Sequence, residues 1–250
     1  LRMQVGAGAD IAEVDLDLAG GSGNDLIDLE ITTPEPIWRF EFQGKVNGGA
    51  GADVIVARLN GLKAFSGPLE VRGGTGDDTI TAEVLTDGEV AEGSGATRVF
   101  GGGGDDVIAA TAIGAAFDRT IAANNHVDAG SGDDLVTAIA RATVATSYAG
   151  VAINALRGGA GNDSLNSLLQ AGDGSVSDLS ASLEGGAGDD VMIARYGMGR
   201  GHDYHQVDLR QELARLVGCS REMAGRVLKK LQADGLLHAR GKTVVLYGTR

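Results

Sequence analysis

From about residue 5 to residue 195 the chain alternates apolar and polar positions in short bursts, each pair of bursts flanking a six-residue glycine-rich stretch. Leu18, Val46, Val71, Val99, Val127, Leu156 and Leu183 stand two places before such a stretch; Ile27, Ile55, Ile80, Ile108, Val136, Leu165 and Met192 stand two places after its last residue. Period-two spacing on both sides predicts a short strand, a tight turn and a second short strand with one face turned inward. Two places further on come Ala57, Ala82, Ala110, Ala138, Ser167 and Ala194. Like residues at like offsets imply that they stack above one another, as they do in a narrow solenoid interior.

The stretch between the bursts reads Gly20-Gly21-Ser22-Gly23-Asn24-Asp25 and returns at Gly48, Gly73, Gly101, Ala129, Gly158 and Gly185, with successive starts 28, 25, 28, 28, 29 and 27 residues apart. Its sixth place is always Asp: Asp25, Asp53, Asp78, Asp106, Asp134, Asp163 and Asp190. A degenerate copy, Val5 to Ala12 with Asp10, precedes the first. The expected fold is mainly β: a parallel β-solenoid or β-roll of about seven coils of about 28 residues, roughly 30 Å long at the usual strand spacing.

Composition narrows the class without changing that picture. Glycine accounts for 41 of 250 residues but proline for only 3, and Gly does not fall every third place, which excludes collagen. At 43% apolar content with fixed offsets the chain is not a disordered polymer. There is no run of 18 apolar residues to span a membrane, and the single Cys219 forms neither an internal disulfide nor a thiolate zinc site. No charged-then-apolar leader follows Leu1, so either a signal peptide is lacking or the sequence starts inside a longer array. The net charge of −13 averages two unlike parts: residues 198–250 carry 10 Lys+Arg against 5 Asp+Glu, leaving 11 and 29 of the totals of 21 and 34 to the first 197. Cations are the expected partners of the acidic body, polyanions of the basic tail.

The motif glycines have a backbone reason, since a sharp turn between strands needs positive φ values. The Asp has a chemical one. Stacked turns bring carboxylates and carbonyl oxygens into all-oxygen cages suited to a hard cation, and stacked carboxylates repel one another without one. The alternative is a plain turn in which Asp caps backbone N–H groups and no metal binds. A dinucleotide reading of the glycines fails because no helix-forming run follows any turn.

The motif resembles the nonapeptide repeat of the RTX (hemolysin-type) calcium-binding family, Gly-Gly-Xaa-Gly-Xaa-Asp-Xaa-apolar-Xaa, over roughly residues 5–195. The resemblance implies Ca²⁺ bound by Asp25, Asp53, Asp78, Asp106, Asp134, Asp163 and Asp190. The family repeats its motif every nine residues and binds calcium on both edges; here the spacing of about 28 implies metal on one edge. Segments such as Leu85 to Thr97 and Ala115 to Asn125 are then expected to close the other. Two motifs depart from the pattern, with Ala52 at the fifth place and Ala129 at the first.

Residues 29–47 form the longest insertion. Trp38, Phe40 and Phe42 alternate with Arg39 and Glu41 after Pro34-Glu35-Pro36 and lead in phase to inward Val46, which predicts a strand with an aromatic inner face. An exposed carbohydrate or partner platform is the other reading of these aromatics. His126, beside inward Val127, is expected to face solvent.

After Tyr196 the pattern becomes helical. Residues 197–207 read as a linker, and Asp208 can cap a helix with apolar Leu209, Leu213, Leu216 and Val217. A turn at Gly218-Cys219-Ser220 leads to a second helix, with Met223, Val227, Leu228 and Leu231 inward and Arg221, Arg226, Lys229 and Lys230 outward. Gly235 ends it, and Leu236-Leu237-His238 with Lys242 to Tyr247 predicts a hairpin. Helix, turn, helix and hairpin over 208–250 predict a small α+β winged helix-turn-helix domain after the 1–196 solenoid.

The run from Leu209 to Leu231, with Gly241 to Arg250, resembles the C-terminal domain of the cyclic-AMP receptor protein family of bacterial transcription regulators. That resemblance implies double-stranded DNA as a partner, with Arg221, Glu222 and Arg226 reading bases and Ser220, Arg210, Gln211 and Lys242 positioning phosphates; Arg suits guanine and Glu suits cytosine N4. Contacts to protein alone are the other use of such a domain. The family's cyclic-nucleotide jelly roll and dimerisation helix have no counterpart, and no cyclic-nucleotide site is visible. The two halves point to different compartments: calcium cages of this kind belong to secreted or surface proteins, the reading favoured for residues 1–196, and a DNA reader to the cytoplasm. The expectation for the whole chain is a calcium-binding fusion or chimera carrying a DNA-binding domain; the alternative is a cytoplasmic regulator with the solenoid as scaffold. No catalytic constellation stands out, and His202 with His205 reads as linker, so no enzyme is expected.

Overall fold

The computed structural model describes residues 2–4, 11–32, 39–61, 65–88, 95–116, 121–144, 150–171 and 177–198, and in the tail Arg226, Lys229, Lys230, Gln232, Ala233, 237–240 and 243–247. A short strand β1 (Arg2–Gln4) comes first. Then each glycine-rich motif joins one strand to the next: β2 (Ile11–Ser22) to β3 (Leu26–Thr32), β4 (Arg39–Ala50) to β5 (Val54–Asn60), and, after β6 (Phe65–Ser66), β7 (Leu69–Thr75) to β8 (Thr79–Gly88). The series continues with β9 (Gly95–Gly103) to β10 (Val107–Ala116), β11 (Ile121–Ser131) to β12 (Leu135–Val144), β13 (Gly150–Ala160) to β14 (Ser164–Ala171) and β15 (Ser177–Ala187) to β16 (Val191–Met198). Two tail strands, β17 (Leu237–Arg240) and β18 (Thr243–Tyr247), follow.

The strands before the motifs form one sheet, in the order β15-β13-β11-β9-β7-β4-β2, and those after them form the other, β1-β3-β5-β8-β10-β12-β14-β16-β18-β17. Within the array all pairings are parallel and in register from coil to coil, Ile80 beside Ile108 and Ile108 beside Val136. The architecture is a parallel β-solenoid. Its strands run longer than the alternation predicts, because the ladder skips the first motif residue and resumes at the second and third: Gly21 pairs with Gly49 and Ser22 with Ala50. Turns are confined to the last three residues, such as Gly51–Asp53.

Burial follows the predicted phase. Val46, Val71, Val99 and Val127 from one sheet face Ile55, Ile80, Ile108 and Val136 from the other, all sealed from solvent, with Ala57, Ala82, Ala110 and Ala138 packed behind them. At the two ends of the array Leu18, Ile27, Leu183 and Met192 are only partly buried. Phe42 is buried as the aromatic alternation requires and its ring lies against Gly44, whose missing side chain makes room for it. Trp38 and Pro34-Glu35-Pro36 lie outside the described residues; of the segments expected to close the non-motif edge, 85–88, 95–97, 115–116 and 121–125 belong to the strands β8 to β11, because the ladders run on past the predicted ends, and 89–94 and 117–120 lie outside the described residues. His126 faces out, edge-on to Phe100 at 6.5 Å between ring centroids.

One buried feature has no counterpart in the sequence reading. Thr97 donates from Oγ1 to Asn125 Oδ1 (2.6 Å), Asn125 Nδ2 donates to Asn154 Oδ1 (2.9 Å), and Asn154 Nδ2 donates to Ser167 Oγ (2.9 Å). Both amides also donate to backbone carbonyls, Asn125 to Ile139 O and Asn154 to Ala138 O. This polar rung is fully satisfied, as burial demands. It separates the main core from a smaller cluster built on Ala112, Ile121, Ala123, Ala140 and Leu169.

Candidate metal centre

All seven motif Asp residues stand in one column at the turn edge, and Asp53, Asp78, Asp106, Asp134 and Asp163 are almost wholly buried. The glycines set this up. Gly74 and Gly76 adopt φ of +121° and +112°, in the left-handed region that a side chain disfavours. The first glycine has a different reason: a Cβ on Gly73 would collide with Asp78 Oδ2 and with the carbonyl oxygen of Gly101 in the next coil. At Ala129 that position carries a methyl group, and Ala129 is buried within the main core.

Asp53, Asp78, Asp106, Asp134 and Asp163 divide their two oxygens between different tasks. Oδ1 accepts the backbone N–H of the equivalent Asp in the preceding coil: Asp53 from Asp25 (2.7 Å), Asp78 from Asp53 (2.8 Å), Asp106 from Asp78 (2.8 Å), Asp134 from Asp106 (2.8 Å), Asp163 from Asp134 (3.0 Å) and Asp190 from Asp163 (3.0 Å). The capping expected of a plain turn is therefore present. Yet it uses one oxygen only. Oδ2 of Asp25, Asp53, Asp78, Asp106, Asp134 and Asp163 is buried with no hydrogen-bond partner among the described residues.

A parallel ladder one residue earlier runs the opposite way. The fifth-place side chain accepts the N–H of the following coil: Asn24 from Ala52 (2.9 Å), Asp77 from Asp105 (2.9 Å), Asp105 from Asp133 (2.8 Å), Asp133 from Asn162 (2.7 Å) and Asn162 from Asp189 (2.9 Å). Ala52 has no oxygen to offer Asp77. The remaining turn groups pair backbone to backbone, as in Gly76 N to Gly103 O (2.6 Å) and Val107 N to Asp78 O (2.8 Å).

The cost of the unpaired column decides what it needs. A buried acceptor without a partner costs on the order of 1–3 kcal/mol. Neighbouring carboxylates one strand spacing apart repel by roughly 3 kcal/mol at an effective dielectric near 20. Six such atoms in a row therefore oppose folding by as much as an ordinary domain's net stability. The titration of the metal-free column reflects this. Burial, then the like charges of Asp134 and Asp78, push Asp106 up to about 7 against the N–H of Asp78, and burial with Asp163 beside it pushes Asp134 up to about 6. Asp78 and Asp163 are raised for the same leading reason, desolvation by burial. A proton or a cation relieves the column.

The donor set suits a hard cation: carboxylate Oδ2 atoms with backbone carbonyl oxygens alongside. Among the described residues no three His, Cys, Asp or Glu side chains converge on one point, so the carbonyls have to complete any cage. Of the residues expected to contact DNA, Arg226 is helical and exposed, as are Lys229 and Lys230; Arg210, Gln211, Ser220, Arg221, Glu222 and Lys242 lie outside the described residues.

Two family models match segments of the chain. The RTX calcium-binding nonapeptide repeat, in four copies, covers residues 70–83, 93–112, 148–174 and 182–197, and the bacterial regulatory proteins of the crp family cover 210–237. The motif led by Ala129 falls between matched segments. Over 41 residues, 16% of its length, the chain is 66% identical to the cAMP-activated global transcriptional regulator Vfr of Pseudomonas aeruginosa, of which 19% is covered. Matches of the same length reach 56% to the cAMP-activated global transcriptional regulator CRP of Haemophilus influenzae, 18% covered, and 58% to CRP of Salmonella typhimurium, 20% covered. The chain thus spans about a fifth of the length of the curated relatives it matches. No solved structure matches it. Neither family description is that of an enzyme.

Two outcomes follow from the column. Because Asp78, Asp106, Asp134 and Asp163 have folded pKa values above their ordinary ones, their contribution to the metal-free fold is full below about pH 4 and is lost as pH rises, for Asp106 and Asp134 through about 6 to 7. In a chelator the melting temperature should fall from pH 5 to pH 8, and the increment restored by calcium should grow over the same range. The second concerns the missing rung: Ala52→Asn gives Asp77 N–H an acceptor and should raise stability by about 0.5–1.5 kcal/mol in urea denaturation with calcium present.

Proposed function

We propose that the chain is a calcium-loaded β-solenoid that carries a DNA-binding tail. The observation that carries the first half is the row of buried, unpartnered Oδ2 atoms. Asp25, Asp53, Asp78, Asp106, Asp134, Asp163 and Asp190 are the carboxylate ligands in this reading, with backbone carbonyls of adjacent turns completing each site. Bound calcium supplies the countercharge for the column, and the chain's own ladders hold the turns in register for it. Ca²⁺ sites of modest affinity fill in the 10⁻⁴–10⁻³ M range typical of extracellular modules. For residues 1–196 this favours a secreted or surface setting.

The tail, residues 208–250 after a 197–207 linker, is read as a winged helix that binds duplex DNA, with Arg221, Glu222 and Arg226 on bases and Ser220, Arg210, Gln211 and Lys242 on phosphates. Its support is the crp-family match and the exposed helical positions of Arg226, Lys229 and Lys230. A DNA reader works in the cytoplasm, so the two activities belong to different compartments and the chain reads as a fusion or chimera. The second reading is a cytoplasmic regulator in which the solenoid serves only as scaffold.

The test of the calcium half is calorimetric titration after chelation, followed by far-UV circular dichroism. Several equivalents with a gain of β signal are expected. Asp78, Asp106 and Asp134 replaced together by Asn keep the Oδ1 acceptors that cap the turns and lose the charge, so the stoichiometry should drop by about three; an unchanged stoichiometry removes these residues from the site. For the tail, Arg226→Ala should abolish the preference for a specific duplex over a random one, a loss of about 1–3 kcal/mol, with calcium uptake intact. Equal binding of wild type and variant to both duplexes would sink the DNA reading.

A further inference from the structure

A solenoid ends in strands that have a neighbour on one side only, and such edges invite pairing with other chains. Here the last array strand of the second sheet, β16, is not an edge. On one side it pairs in parallel with β14; on the other it pairs antiparallel with β18, Val191 beside Tyr247, Met192 beside Leu246, Ile193 beside Val245 and Ala194 beside Val244. β18 pairs in turn with β17, Leu237 beside Leu246 through Arg240 beside Thr243, so that the tail hairpin extends the solenoid sheet by two strands. The first sheet, by contrast, stops at β15 among the described residues.

The local chemistry explains why this end needs cover. Val191-Met192-Ile193-Ala194 is an uncharged apolar strand, the type that pairs indiscriminately when left open. Met192 and Ala194 are only half-buried where their counterparts one coil earlier, Leu165 and Ser167, are sealed. The hairpin answers with β-branched and apolar Thr243-Val244-Val245-Leu246-Tyr247. Its antiparallel direction also ends the array, because a parallel coil would have to bring another glycine-aspartate turn.

We infer that the C-terminal hairpin is the cap of the solenoid, docked by intramolecular strand addition on β16, so that the tail and the array form one body rather than two tethered ones. The strand it docks on begins at Val191, the residue after Asp190 of the last turn, so whatever orders that turn also orders the seat of the hairpin. The coupling to calcium rests on the reading of the aspartate column; the docking itself does not.

Register-matched cysteines test it in the full chain. In a Cys219→Ser background, Ile193→Cys with Val245→Cys joins directly paired positions, whose Cα separation of about 4.5–5.5 Å suits a disulfide, whereas Ile193→Cys with Thr243→Cys is offset by two residues to about 8 Å and does not. The matched pair should oxidise at least tenfold faster than the offset pair, scored by mass spectrometry under non-reducing conditions. Equal rates, or no cross-link in either, overturn the docking. Repeating the matched reaction in calcium and in chelator reads the coupling: slower closure in chelator supports it, and an unchanged rate in a chain that takes up calcium by calorimetry overturns it. A chain that takes up no calcium but still cross-links in register refutes the calcium reading and leaves the cap standing.

Discussion

The structure depends on a buried carboxylate that can satisfy only one of its two oxygens within the protein. From Asp53 onward Oδ1 is spent on the N–H of the preceding coil, which fixes the register, and where the motif opens with Gly, Oδ2 is left facing a glycine with no side chain. Position, charge and desolvation are thus set by the same residue. A shorter or bulkier side chain loses the cap, and a side chain on the first glycine fills the space the second oxygen faces. The recurring Gly-Asp pattern follows from this one arrangement, and so does its dependence on a counter-charge: a turn that holds coils together through carboxylates stacks like charges a strand spacing apart.

Much of this was legible in the sequence because the information was repeated. Seven copies placed the inward apolar columns, the Asp column and the outward position of His126, and the phase of the aromatic run put Phe42 inside. What repetition could not carry was less visible. The Thr97–Asn125–Asn154–Ser167 rung involves unlike residues on both sheets, and nothing in the alternation separates a buried Asn from an exposed one. Strand length was underestimated because glycine normally interrupts a strand, whereas here the stacked neighbours resume the ladder at the second and third motif residues after skipping the first. The hairpin was foreseen at Leu236-Leu237-His238 with Lys242 to Tyr247 and stands at Leu237–Arg240 with Thr243–Tyr247, but its seat on β16 brings together segments about fifty residues apart and has no local signature.

The acidic column and the basic tail make opposite demands on the surroundings. The column gains from divalent cations and loses from dense negative charge; the tail, read as a DNA binder, seeks a polyanion. In the docking inferred above, a hairpin that continues the solenoid sheet ties the tail to the array, so each partner meets the field of the other half. Salt and calcium should therefore bear on the tail's behaviour through the array as well as directly.

The two turn ladders point in opposite directions, the fifth-place side chains accepting from the coil that follows and the sixth-place ones from the coil that precedes. Apart from the coil with Ala52, which lacks the fifth-place acceptor, the coils present the same pair of half-connections above and below, so that one coil can follow another. Spacings from 25 to 29 residues show the difference being absorbed away from the motif edge. An array of this kind can lengthen or shorten by whole coils through duplication or loss of the encoding segment, with no new joint to invent, and the strand that closes it has to match only the last one.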